Sequence, residues 1–223
     1  MNSLDAGARN SGLGVRESGL RARESPLASI HISNGLTYAS LACGILTILA
    51  AMRGSAAGAG AFLAASALAD TFDGRFARLF RRDAAREAIG VQLDSLSDAA
   101  AFGLAPIAAV SILLGARGDG IWIAWWIAAI VYAGCALTRL AFYNVSHAPN
   151  DTRGFVGIPT PIAALVWSSI LAFGTSAVSA SAAATLLGLA MVAPIPIRRP
   201  AGAGLTIFAM WPLTLLVVHW VNL

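Results

Sequence analysis

The chain has 223 residues, 57% of them hydrophobic and 12% charged, with a mean hydropathy of +0.73. This composition excludes a water-soluble globular domain and reads as an all-α polytopic membrane protein. The net charge of +4 comes from fifteen basic residues, all arginine. They fall between apolar runs, so they are assigned to membrane topology and not to nucleic acid.

Residues 1–29 are polar and carry Arg9, Arg16, Arg21 and Arg23. They lack the apolar core of a signal peptide and read as a flexible cytoplasmic tail. Residues 30–223 form the membrane-embedded domain. Apolar spans are predicted at 34–52, 58–80, 88–114, 121–145, 158–177, 180–195 and 203–221, each set against the ~20 residues needed to cross a bilayer. That gives about seven transmembrane helices. The sixth run is short, so a count of six to eight fits the pattern. Pro106 should kink or split the third span.

With the N-terminus inside, the cytoplasmic segments carry the tail arginines, then Arg81, Arg82 and Arg86, then Arg153, then Arg198 and Arg199. The outer loops carry only Arg53 and Arg117. This bias obeys the positive-inside rule and leaves the C-terminus outside; the expected setting is a bacterial inner membrane, with the active site facing the cytoplasm. Cys43 and Cys135 lie in apolar runs and read as small buried hydrophobes. His31, His147 and His219 read as interfacial, and the tryptophans as interface belts.

Four acids interrupt the second and third spans. Asp70 and Asp73 are three residues apart, and Asp94 and Asp98 four apart. On helices, each spacing puts both carboxylates on one face. At 1.5 Å per residue all four sit roughly 9–15 Å below the cytoplasmic face. Intramembrane acids are costly and point to function. Hard divalent cations, Mg²⁺ or Mn²⁺, are their natural counter-charge. Helix capping or ion pairing with Arg75 or Arg78 would not need four acids. Gly74 and Gly90 let a bulky group approach the backbone, Ala77 keeps that face narrow, and Arg78 offers a fork of donors for phosphate. Together these suit phosphoryl transfer from a diphosphate donor. An ion-coupled transporter would also use intramembrane acids, but these four cluster in one motif with no inverted repeat.

Asp70, Asp73, Gly74, Ala77, Arg78, Gly90, Asp94 and Asp98 follow the order Asp-x₂-Asp-Gly-x₂-Ala-Arg…Gly-x₃-Asp-x₃-Asp. This resembles the signature of the CDP-alcohol phosphotransferases. Eleven residues separate Arg78 from Gly90, more than the family usually has, and the excess falls in a cytoplasmic loop. Within the family the chain most resembles the phosphatidylserine synthases. The resemblance lies in Leu93–Asp98 with Phe102–Pro106, in Thr138–Val145, and in Phe155–Pro161. It implies a helical bundle of that family, CDP-diacylglycerol as donor, L-serine as acceptor and a homodimer among membrane lipids. It further implies that Asp70, Asp73, Asp94 and Asp98 hold two divalent metal ions and that Asp98 is the catalytic base. Asp70, Gly74, Ala77, Arg78 and Gly90 would bind the CDP moiety. A sibling enzyme taking glycerol phosphate or inositol phosphate is the alternative, and an anionic acceptor should need extra basic residues. Arg139, a lone cation in the fourth span, reads either as a snorkelling anchor near the cytoplasmic end or as the candidate for binding the acceptor's carboxylate.

Overall fold

The computed structural model describes residues 30–116, 123–146, 155–197 and 203–223. The expected N-terminal tail, His147, Arg117, Arg153, Arg198 and Arg199 lie outside the described residues.

Seven helices build the described fold. They are α1 (Gly35–Met52), α2 (Ala56–Ala77), α3 (Ala84–Ala116), α4 (Ile123–Ser146), α5 (Thr160–Phe173), α6 (Ala177–Val192) and α7 (Ala203–Val221). A short 3₁₀ turn, Ile32–Asn34, leads into α1. By length and composition, α1 with its leading turn, α3 and α4 can each cross a membrane. Two residues of strand, β1 (Phe155–Val156) and β2 (Pro196–Ile197), pair antiparallel. This ribbon was not expected from the apolar pattern. It ties the chain entering α5 to the chain leaving α6. At Gly157 the backbone has φ +73° and packs against the Met191 carbonyl, so a side chain there would be strained and would collide.

Local chemistry sets the helix starts. The Ser55 hydroxyl accepts from the Gly58 N–H at 2.9 Å, and Asp83 accepts from the Arg86 N–H at 2.8 Å. Ser176 and Ser179 form a reciprocal capping box at α6. The Asp83 cap explains why α3 begins four residues before the apolar run does.

The third span stays one helix from Ala84 to Ala116 but is interrupted by a π-helical stretch, Ala99–Leu104, just before Pro106. Pro106 has no N–H to offer the Phe102 carbonyl one turn back. The Tyr132 hydroxyl of α4 donates to that carbonyl at 2.8 Å. Tyr132 and Trp167 stack edge to face at 5.9 Å, and Trp125 meets Trp167 at 6.3 Å. Trp125 and Trp167 are therefore core residues, a correction to the interface-belt reading, whereas Trp126 and Trp220 are exposed.

Small residues let the helices close up, as membrane packing favours. A Cβ at Gly44 of α1 would lie 2.8 Å from the Ala101 Cα of α3. Gly60 of α2 receives the imidazole of His219 of α7. His219 is fully buried, not interfacial. Its Nε2 lies 3.1 Å from both the hydroxyl and the carbonyl of Ser168. Cys43 and Cys135 are half-buried and free.

Candidate active site

The acids come together where α2 and α3 converge. Carboxylate oxygens of Asp70, Asp94 and Asp98 all lie within 4.8 Å of one another. The Asp70 carboxyl lies against that of Asp98, and that of Asp73 against Asp94. Asp73 is buried, and the Thr37 hydroxyl of α1 donates to it at 2.5 Å. The Thr37 carbonyl in turn accepts from the Ser97 hydroxyl of α3 at 3.0 Å. On the other flank Ser95 donates to the Asn144 side chain of α4 at 2.9 Å. Hydrogen bonds thus lock α1, α2, α3 and α4 around the carboxylates.

These groups line a cavity of about 460 Å³. Of the residues singled out from sequence, Asp70, Asp73, Gly74, Ala77, Gly90, Asp94, Asp98 and Arg139 all line it. Arg78 does not: it caps the end of α2 and is exposed. Arg82, read from sequence as a topological anchor, does line the cavity. Arg139 is buried and faces Asp98 and Asp70 as their nearby cation. Its guanidinium lies 5.9 Å from the Tyr143 ring centroid, a cation–π distance.

Thr37 was missed because it carries no charge and sits in an apolar run. The available signal was a polar or small stripe at three- and four-residue spacing, Asn34, Thr37, Ser40, Gly44 and Thr47. All five are buried.

The donor set fits a hard divalent cation. It is all oxygen, it is anionic, and its oxygens converge from two helices. Fully ionised carboxylates this close repel one another strongly unless a cation stands among them.

A family model described as CDP-alcohol phosphatidyltransferase matches residues 30–197. The chain belongs to that family. Among curated relatives, the CDP-diacylglycerol–serine O-phosphatidyltransferase of Mycobacterium bovis is 30% identical over 63% of this chain and 49% of its own length. The protein of the same name from Helicobacter pylori is 32% identical over 60% of this chain and 54% of its own length. The archaetidylserine synthase of Methanothermobacter thermautotrophicus is 29% identical over 76% and 70% respectively. The chain spans about half the length of the mycobacterial relatives it matches.

Proposed function

We propose that the protein transfers the phosphatidyl group of CDP-diacylglycerol to the hydroxyl of L-serine, releasing CMP and phosphatidylserine. The observation that carries this reading is the meeting of the motif acids of α2 and α3 in one cavity with Arg139 beside them. The names of the relatives supply the acceptor class.

In this reading Asp70, Asp73, Asp94 and Asp98 hold two divalent ions, Mg²⁺ or Mn²⁺. Bound there, the ions would neutralise the diphosphate and the charge that develops on the leaving CMP. The rest is done by the chain's own side chains. Asp98 takes the proton from the serine hydroxyl as its oxygen bonds to the lipid-side phosphorus, and the bond from that phosphorus to the CMP oxygen breaks. Thr37 fixes the rotamer of Asp73. Arg139 pairs with the serine carboxylate, which sibling acceptors lacking a carboxylate could not offer. Gly74, Ala77 and Gly90 leave room for the nucleotide.

The proposed setting is an inner membrane, with the cavity open to the cytoplasm and the protein a homodimer. Arg82, which lines the cavity, and its sequence neighbours Arg81 and Arg86 support that orientation; the dimer rests on the family resemblance. The test is CMP release by purified protein given CDP-diacylglycerol, Mg²⁺ or Mn²⁺, and serine, glycerol phosphate or inositol phosphate in parallel. Release with serine alone supports the reading, and release with another acceptor alone overturns the serine assignment.

A further inference from the structure

We infer that Arg82, seated over Gly90, binds the diphosphate of the nucleotide donor at the mouth of the cavity. The inference rests on the proposed use of CDP-diacylglycerol and adds a binding residue outside the family motif.

Arg82 lies in the segment between α2 and α3 that is longer than the family's usual spacing. It is half-buried, in contrast to exposed Arg81, and lines the cavity. A Cβ at Gly90 would come within 3.2 Å of both the Arg82 Nη1 and the Asn34 Oδ1. The missing side chain at Gly90 is thus the space into which the guanidinium folds. In this chain Gly90 serves a protein side chain as well as any ligand.

The position selects the ligand group. Gly90, Asp94 and Asp98 follow one another at four-residue spacing on one stripe of α3. Arg82 therefore stands about 6 Å outward of the Asp94 level, one turn nearer the helix start. Arg139 stands at the other end of the stripe, facing Asp98 and Asp70. A cation thus flanks the carboxylates at each end. A diphosphate lying along the acids presents its oxygens to the outer cation, and a planar guanidinium fork suits phosphate geometry. Arg78 is exposed and does not line the cavity, so it is poorly placed for that contact.

The experiment measures equilibrium binding of CDP-diacylglycerol to the purified full chain in detergent with Mn²⁺ and without serine. The variants are Arg82→Gln, Arg82→Lys and Arg81→Gln. Hydrogen bonds to charged groups are worth enough that Arg82→Gln should weaken binding on the order of 10–100-fold. Arg82→Lys should recover part of the loss, because charge returns without the fork. Arg81→Gln should bind as the parent does. In turnover, Arg82→Gln should raise the KM for CDP-diacylglycerol and leave that for serine unchanged. Unaltered binding by Arg82→Gln overturns the inference. An equal loss in Arg81→Gln also overturns it, since general surface charge would then explain the effect. If the parent binds no CDP-diacylglycerol, the proposed donor falls and this inference with it. If the parent binds and only Arg82→Gln is indifferent, the donor assignment stands and Arg82 alone is excluded.

Discussion

The Thr37 hydroxyl of α1 donates to the Asp73 carboxylate of α2, so a helix with no acid of its own orients one of the four carboxylates. Thr37→Val keeps the shape and removes the donor. Partners that orient metal ligands typically contribute about 10–100-fold in metal affinity or activity. The variant should need more divalent cation for half-maximal turnover, with the maximal rate largely recovered at saturation. A metal titration of CMP release checks this, and an unchanged midpoint would assign Thr37 to packing only.

Turnover should depend strictly on a divalent cation, and Asp70→Ala should abolish it. Asp70 belongs to the cluster whose oxygens converge within 4.8 Å, and a site of hard oxygens loses affinity when a carboxylate leaves. Activity that persists in excess chelator would rule out the metal reading.

Asp98→Asn should lower kcat by about 10²–10⁴, the usual contribution of a general base, while CDP-diacylglycerol still binds. Loss of a metal ligand would add to the deficit. Near-normal turnover of the purified variant would remove Asp98 from proton transfer.

Arg139→Lys keeps the charge beside Asp98 and Asp70 but loses the fork that suits a carboxylate. It should raise the KM for serine more than the KM for CDP-diacylglycerol. Equal kinetics for serine would confine Arg139 to balancing the acids.

Tyr132→Phe should destabilise the fold and leave substrate KM values intact. Its hydroxyl satisfies the Phe102 carbonyl freed by Pro106, and hydrogen bonds between membrane helices contribute about 1 kcal/mol. Thermal unfolding in detergent should show a lowered midpoint for this variant.

Much of this protein was legible before folding. Apolar runs located the seven helices, but only α1 with its leading turn, α3 and α4 have the length and composition to cross a bilayer. Three- and four-residue spacing placed Asp70 with Asp73 and Asp94 with Asp98, because the helical repeat puts such pairs on one face. The segment 78–83 between α2 and α3 made those two faces neighbours. What lies across from a face is not written in its own periodicity. Thr37 reached Asp73 only through the packing of α1 on α2, and His219 reached Gly60 only through the packing of α7 on α2, far apart in sequence. That the Phe102 carbonyl before Pro106 finds the Tyr132 hydroxyl as its partner likewise came only from the packing of α3 against α4. Arg78 and Arg82 are indistinguishable by charge and topology. The path of one short loop turned the first toward solvent and folded the second over Gly90. A long side chain's reach is set by where its backbone is anchored, and only the tertiary structure decides that.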